Sequence, residues 1–276
     1  MLVIDASRSG LWGHFSEYFS LKPTDLEVET CPSAQLISQL ELLTCAPQEI
    51  RGRLRQYQCR WSPEMRALVD ADSGCRLSFD FSASYSEDLL VHHQAGGGSS
   101  EALALLKKLT FNTELAKECR ETLQLLGNDY DAIHVRNSDY KTDWKPFIER
   151  VADELASDSV LVCSDDRTVI LFCIRFFADK RVLITTIPPD TGGKALHTHE
   201  SIMSPEERRS VIRDGLIDLI ALANGKSLRY QNTINGHPSG YSELAKHLHN
   251  DKSVVDALLS SSPQNQSPVA SSSHCT

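Results

Sequence analysis

The sequence predicts an α/β protein with a mostly parallel sheet in its C-terminal half. Three observations carry that expectation. From residue 113 to residue 249, amphipathic helical stretches alternate with short apolar strands. Helices of this length between strands imply parallel neighbours, with both faces of the sheet covered. Polar clusters recur where successive strands give way to loops, and open α/β sheets bind ligands at that edge.

The N-terminal half is less regular. Leu2-Val3-Ile4 reads as a short buried strand. A Gly/Ser turn containing Gly10 and Gly13 follows, then a helix with Phe15, Tyr18 and Phe19 on one face. Residues 33–57 repeat apolar positions at helical spacing, at Leu36, Leu40, Leu43, Ile50 and Leu54. Pro47 has no amide hydrogen to give, so two helices are expected there. Residues 76–92 suggest strands around Leu77, Phe79 and Phe81, and again at Leu89, Leu90 and Val91. Gly96-Gly97-Gly98-Ser99-Ser100-Glu101 then feeds a helical run. Such a loop can cradle a phosphate through backbone N–H groups, and it is equally a flexible loop with a helix cap.

The C-terminal half follows a steady order. Helix 113–126 leads to the strand Ala132 to Val135, and helix 145–156 leads to Ser159 to Cys163. Ser164-Asp165-Asp166 ends that strand, and helix 167–178 follows. Arg181 to Thr186 is the next strand, and a loop with Pro188, Pro189, Gly192 and Gly193 comes after it. Helices 204–223 and 239–249 complete the pattern. A domain boundary is expected near residue 128, at Gly127-Asn128-Asp129, with an N-terminal α/β domain over residues 1–128. Residues 129–259 would form a nucleotide-binding domain, with the ligand in a cleft between the two. Residues 260–276 are rich in Ser, Pro, Gln and Asn, bury too little apolar surface to order themselves, and are expected to be disordered.

Composition narrows the function. The 276 residues are 41% hydrophobic and 24% charged, an ordinary globular balance. A net charge of −9 argues against nucleic acid as a partner, because phosphate backbones need clustered Lys and Arg. None of the eight cysteines forms a C-x-x-C pair, which disfavours a common zinc site. Cys119, Cys163 and Cys173 fall inside predicted helices or strands, where reduced cysteine serves as a small core residue. No signal peptide is seen, and no apolar run approaches the ~18 residues of a membrane span. The chain is expected to be cytoplasmic, with reduced thiols and no transmembrane segment.

Chemistry concentrates at three strand ends. Ile133-His134-Val135-Arg136-Asn137-Ser138-Asp139 puts an imidazole, a guanidinium and a carboxylate within six residues. An arginine at such an edge can fork onto phosphate oxygens, so an anionic ligand, first of all a nucleoside diphosphate, is expected. Ser164, Asp165 and Asp166 form the second cluster. Ser239, Tyr241 and Ser242 form the third, after an Asn/Gly/Pro loop, and Asp218 lies on the helix between them. Each has a plain structural alternative. His134 serves as a core histidine, Arg136 and Asp139 pair with each other, and the acids at 165 and 166 cap the next helix. Recurrence at successive strand ends favours a site.

The segment around His134, Arg136 and Asp139 resembles the H-x-R-x-x-D motif of the GDP-fucose fucosyltransferases. Three further stretches are similar to that family's later motifs, in the same order and at about the same spacing. They are Val162-Cys163-Ser164-Asp165-Asp166, Asp218-Leu219-Ile220-Ala221-Leu222-Ala223 and Ser239-Gly240-Tyr241-Ser242-Glu243-Leu244-Ala245. The resemblance covers about residues 113–250. It implies two Rossmann-like domains in a GT-B-like arrangement, with a GDP-sugar held in the C-terminal one. It implies that Arg136 grips the diphosphate and stabilises the leaving group, with His134 close by. Asp165, Asp166 and Asp218 would meet guanine or ribose. Ser239 and Ser242, with Tyr241 beside them, would line the phosphate side. Gly10 and Gly13 would stand for the family's N-terminal glycine-rich loop.

The activity so implied is inverting transfer of a sugar, fucose first, to a glycan or other hydroxyl acceptor. No cofactor or metal is needed for it. Candidate bases are Asp139, Glu17 and His14, the last of which also reads as an ordinary surface histidine. Asn137 departs from the pattern, because many relatives carry a second basic residue there; Lys141 offers a displaced substitute. His197 and His199 could form a metal pair but read better as part of a loop. The alternative function is a non-catalytic protein of the same fold that binds a nucleotide, ligand or partner protein.

Overall fold

The structure is a computed structural model. It describes residues 1–6, 11–93, 100–139, 141–190, 203–234, 236 and 238–260. Gly10, the glycine run at 96–98, His197, His199 and the tail beyond residue 260 lie outside the described residues. In chain order the elements are β1 (Leu2–Val3), β2 (Phe19–Leu21), β3 (Val28–Glu29), α1 (Ala34–Leu40), β4 (Cys45–Ala46), β5 (Cys59–Ser62), β6 (Ala67–Asp70), β7 (Leu89–Leu90), α2 (Ser100–Leu106) and β8 (Leu109–Phe111). There follow α3 (Thr113–Leu126), β9 (Asp131–Val135), α4 (Trp144–Ala152), β10 (Ser159–Ser164), α5 (Arg167–Phe176), β11 (Arg181–Leu183), α6 (Pro205–Asn224), β12 (Leu228–Tyr230), α7 (Gly240–Asn250) and α8 (Lys252–Leu259).

The chain forms two compact units. One joins Met1–Asp5 to Leu26–Gly98, and the other joins Ala6–Asp25 to Ser99–Thr276. The boundary expected near residue 128 falls inside the second unit. The reason is packing. Buried Leu115, Ala116 and Cys119 of α3 share one apolar cluster with Leu219 to Ala223 of α6 and with α8. Arg213 of α6 reinforces this by pairing with Glu114 and Glu118 of α3.

In the first unit, β1 pairs with β3 and β4 with β7, both parallel, and β5 pairs with β6 antiparallel. Cys45, Ile50, Tyr57 and Leu77 form its small core. Of the two helices expected over residues 33–57, α1 forms, capped by Ser33 accepting from the Leu36 N–H at 3.1 Å, and after Pro47 only a short 3-10 turn, Gln48–Ile50, follows. Cys45 and Ala46 instead take a strand partner in Leu89 and Leu90, and tertiary pairing overrides the helical spacing. Of the strands expected over 76–92 only β7 forms, together with a single bridge between Val69 and Arg76. Phe79 and Phe81 lie on a loop, pinned where the Asp80 N–H donates to the Tyr85 hydroxyl at 2.6 Å.

The second unit contains the parallel sheet. Its strand order is β11-β10-β9-β12, and all three neighbouring pairs are parallel. Side chains alternate between faces along each strand, and the two cores follow that period. Ile133, Val135, Val160 and Val162 face α4 and α5, where Phe147, Ile148, Val151, Val169 and Ile170 meet them. Ala132, Leu161 and Cys163 face the opposite layer, built from α3, α6, α7 and α8. All five residues of β9 are buried, so the central strand is apolar on both faces except at His134 and Asp131. The sheet therefore stands between two helical layers, as the sequence pattern predicts. Cys119, Cys163 and Cys173 are buried and free, and burial raises all three thiols, Cys119 and Cys173 to about 12.

The helix expected after Gly13 is a short 3-10 turn, Phe15–Glu17. Phe19 then enters β2, which pairs antiparallel with β8 in the register Phe19 to Phe111. Tyr18 turns inward and is only 1% exposed. Elsewhere in this unit the helix ends follow standard chemistry. Asn112 caps α3 by accepting from the Leu115 N–H at 2.8 Å, and Ser204 with Glu207 makes a reciprocal capping box on α6.

Gly225 carries a sharper constraint. It joins α6 to β12 where the backbone passes β9, and a Cβ there would stand 2.9 Å from Ala132 Cβ. Ala132 is fully buried and has no flexible end to move aside. Gly225→Val should destabilise the protein by roughly 2 kcal/mol or more, by overpacking. Urea unfolding should show a lower midpoint with an unchanged slope, and an unchanged midpoint would contradict this packing.

Candidate functional site

The loop after β9 and the loop after β10 meet at the carboxyl edge of the sheet. Asp165 is their junction. Its Oδ1 accepts from the Asn137 backbone N–H at 2.7 Å, and its Oδ2 accepts from the Ser138 hydroxyl at 2.5 Å. The same Oδ2 lies 3.0 Å from Arg136 Nε. That contact is an ion pair without an aligned hydrogen bond, since among the described residues the Nε–H has no partner at proper geometry. Arg136 Nη2 donates to Asp139 Oδ1. The guanidinium thus lies against two carboxylates, and its side chain remains 21% exposed.

Asp166 has two tasks. Its Oδ1 caps α5 by accepting from the Thr168 N–H at 2.8 Å, and its Oδ2 accepts from Asn137 Nδ2, also at 2.8 Å. The helix-cap alternative is therefore correct for Asp166, and it coexists with a place at the strand-end cluster. Ser164 Oγ donates to the Val135 carbonyl at 2.7 Å and accepts from the Asp166 N–H at 3.1 Å, locking the two strand ends together. Lys141 Nζ donates to the Asn137 carbonyl at 2.8 Å, which brings a second cation to the loop. Thr142 Oγ1 donates to the Arg136 carbonyl at 2.9 Å. A cavity of about 270 Å3 opens beside Asp165 and Asp166, lined also by Arg167, Thr168, Pro189 and Asp190.

The third cluster lies one layer deeper. His134 is 4% exposed and its Nδ1 shares a hydrogen bond of 2.8 Å with Ser242 Oγ. Its ring lies 4.9 Å from that of Tyr241. Burial, reinforced by Arg136, lowers its pKa to about 3, so the imidazole is neutral. Ser242 Oγ also bonds Ser239 Oγ at 2.9 Å, and Ser239 caps α7 by accepting from the Ser242 N–H at 3.1 Å. The Tyr241 hydroxyl donates to the Gly215 carbonyl of α6 at 2.6 Å. His134, Ser239, Tyr241 and Ser242 together fasten the start of α7 to β9 and α6.

Asp218 stands behind the end of β11. Its carboxylate accepts from the hydroxyls of Thr185 and Thr186, the latter at 3.0 Å. Burial raises its pKa to about 6 despite those donors. His14 is exposed and starts the 3-10 turn, where its N–H donates to Glu17 Oε1 at 2.9 Å. Gly13 lies against the same carboxylate, since a Cβ there would come 2.8 Å from Glu17 Oε1. The structure brings Arg136, Asp139, Ser164, Asp165 and Asp166 together, and sets His134 with Ser239, Tyr241 and Ser242. Asn137, Ser138, Thr185 and Thr186 were not expected among the site residues. Only their positions after strand ends could have drawn attention to them.

Asp218 gives the cluster a pH signature. Folded, it keeps its proton up to about pH 6, against 3.8 for an ordinary aspartate. Between those values the folded state holds more protons than the unfolded chain, so this group adds stability as pH falls from 6 toward 4 and withdraws it as pH rises through 6. The unfolding free energy of wild type minus that of Asp218→Asn should change by roughly 2 kcal/mol between pH 4 and pH 7. Urea titrations of both proteins measure it, and a pH-independent difference would contradict the buried carboxyl.

No protein-family model and no curated protein matches this chain. Solved structures do. The chain is similar to fucosyltransferase NodZ from Bradyrhizobium at 16% identity and a TM-score of 0.53, over 84% of this chain and 75% of that one. It is similar to NodZ α-1,6-fucosyltransferase soaked with GDP-fucose at 14% identity and a TM-score of 0.50, with the same coverage. Against NodZ co-crystallised with GDP the TM-score is 0.41 at 15% identity, over 60% of this chain and 52% of that one. In that alignment the chain spans about half of the other's length. The fold is thus one that fucosyltransferase structures share.

Proposed function

We propose that this chain, whose fold is that of the NodZ fucosyltransferase structures, is a glycosyltransferase that takes a GDP-sugar, fucose first, and inverts the anomeric centre on transfer to a hydroxyl acceptor. The carrying observation is Arg136 held beside Asp165 at the carboxyl edge of the parallel sheet, where the loops after β9 and β10 interlock. Arg136 exchanges one carboxylate partner for the diphosphate, and its fork spans two phosphate oxygens. Lys141 adds charge on the same loop. The guanine edge turns to Asp218, whose ionised carboxylate accepts its N–H groups once the Thr185 and Thr186 hydroxyls yield.

In the transfer the acceptor oxygen attacks the anomeric carbon as the bond from that carbon to the phosphate oxygen breaks. GDP leaves with the electron pair, and a base takes the acceptor proton. Asp139 suits that role because the incoming diphosphate displaces it from Arg136, so donor binding and base release coincide. A fixed cation at the leaving group is worth ~3–4 kcal/mol of barrier, and arginine supplies it without a metal. Asp165 and Asp166 keep the loop in shape beside the donor. His134, Ser239, Tyr241 and Ser242 hold the platform under it.

A binding-only protein of this fold is the second reading. Asn137 favours it: where many fucosyltransferases carry a second basic residue, this side-chain amide instead donates to Asp166, while the backbone N–H of the same residue holds Asp165. Transfer assays with labelled GDP-fucose on a mixed-acceptor panel separate the two readings.

GDP should raise the melting temperature where ADP and UDP do so less. Arg136→Lys should weaken GDP binding at least tenfold, because a lysine ammonium cannot fork, and Arg136→Ala should abolish both binding and turnover. Calorimetric titration with wild type and both variants decides the matter. Equal GDP affinity in all three would remove the donor site from this edge.

A further inference from the structure

Helix α5 is apolar on the side that packs on the sheet and again on a second, exposed side. Val169, Ile170 and Cys173 are buried in the core. Leu171 and Ile174, by contrast, are 41% and 40% exposed. From Val169 to Phe177 the chain carries one charged residue, Arg175. A helix that is apolar all round is normally covered all round.

The exposed stripe has a regular spacing. Arg167, Leu171, Ile174 and Ala178 succeed one another at steps of four, three and four residues. At 100° per residue, Arg167, Leu171 and Ile174 fall within an arc of about 60°. Ala178 and Asp179 are exposed in the turn that follows the helix. Alternating steps of four and three are those by which two helices pack along a common seam.

Topology explains why this flank is bare. β11 is the last strand of the sheet, so among the described residues no further strand pairs beyond it. On its other flank α5 meets α4, where the Trp144 and Phe172 rings stand edge to face at 5.0 Å. Arg167 and Leu171 line a cavity together with Pro189 and Asp190 of the loop after β11, which sets the stripe on the β11 side.

The charges select the occupant. Arg167 stands at one end of the stripe and Asp179 at the other. Both are exposed, and among the described residues neither side chain forms an ion pair or a hydrogen bond. An anionic partner would leave Asp179 unmatched, and a cationic one would leave Arg167 unmatched. A second copy of the same face, turned end for end, matches both. With a two-fold axis between Leu171 and Ile174, each Leu171 meets the partner's Ile174. Each Arg167 then lies opposite the partner's Ala178, beside the partner's Asp179. It also approaches the carboxyl end of the partner's helix, whose free carbonyls are partly negative. The two copies of Arg167 stay roughly 16 Å apart along the axis, so like charges do not meet.

We propose that this chain forms a two-fold dimer through α5, with Leu171 and Ile174 at its apolar centre and reciprocal ion pairs between Arg167 and Asp179 at its two ends.

Sedimentation velocity of the full-length chain across the micromolar range tests it. Wild type should pass from monomer to dimer as concentration rises. Ile174→Asp puts a carboxylate at the centre of the seam and should remain monomeric over the same range, with the circular dichroism of wild type. Arg167→Asp and Asp179→Arg should each weaken association at least tenfold, since one reversal sets two like-charged pairs in every dimer. The double variant Arg167→Asp/Asp179→Arg should recover an affinity within about threefold of wild type, because the pairs are restored with their signs exchanged. Wild type that stays monomeric throughout overturns the proposal and leaves the face to a different protein. An Ile174→Asp variant that dimerises as wild type does overturns it too. So does a double variant that associates no more tightly than either single one, because the charges then do not meet as the two-fold requires.

Discussion

A single carboxylate sets the geometry on which the edge of this sheet depends. Asp165 follows β10, yet both its oxygens are used by the loop after β9, one by the Asn137 N–H and the other by the Ser138 hydroxyl and the Arg136 guanidinium. Hydrogen bonds to an ionised acceptor are shorter and about twice as strong as neutral ones, and this group has 8% of its side chain exposed. The two loops therefore move as one body. Without Asp165, the carboxylate left to Arg136 among the described residues would be Asp139, three residues along its own chain and not on the neighbouring strand.

Beneath this clamp the polar interior is closed by neutral groups. A charged His134 would require solvation that its burial forbids, and Arg136 nearby adds repulsion. The neutral ring, Ser242 and Ser239 form a chain of hydrogen bonds that joins β9 to the first turn of α7. Tyr241 extends the joint to α6 through the Gly215 carbonyl. Behind the site His134, Ser239 and Ser242 carry no charge, and the charges at the edge are Arg136, Arg167 and Lys141 set against Asp139, Asp165, Asp166 and Asp190. Asp218, raised toward neutrality by the same burial, shows how far the low-polarity layer reaches along α6.

The C-terminal half was legible in the sequence because each element there has a local cause and the tertiary structure agrees with it. Ile133, Val135, Val160 and Val162 alternate with residues of the opposite face, and Asn112, Asp166, Ser204 and Ser239 announce the helix starts. The three-residue β12 and helix α8 carried too little periodic signal to be anticipated. In the N-terminal half the helical spacing at Leu43, Ile50 and Leu54 misled, because Cys45 and Ala46 are held by a partner more than forty residues away. Of the site, residue identity disclosed the guanidinium and the carboxylates. It could not disclose that Asn137 binds Asp165 through its backbone and Asp166 through its side chain, since that depends on the register of β9 against β10.

That register also decides which of the two carboxylates on Arg136 can give way to a ligand. Asp165 is nearly covered and has two donors besides the arginine, so releasing it would leave the Asn137 N–H without its acceptor in a buried place and the Ser138 hydroxyl with only Asp139 Oδ1, at 3.0 Å. The loss of an acceptor in such a place costs about 1–3 kcal/mol. Asp139 has 29% of its side chain exposed and lies on the outer side of the loop, where water can take over its solvation as it leaves. An anion arriving at Arg136 therefore replaces Asp139 and keeps Asp165. In the reading proposed above, the guanidinium then retains its anchor to β10 while its outer edge turns to the diphosphate.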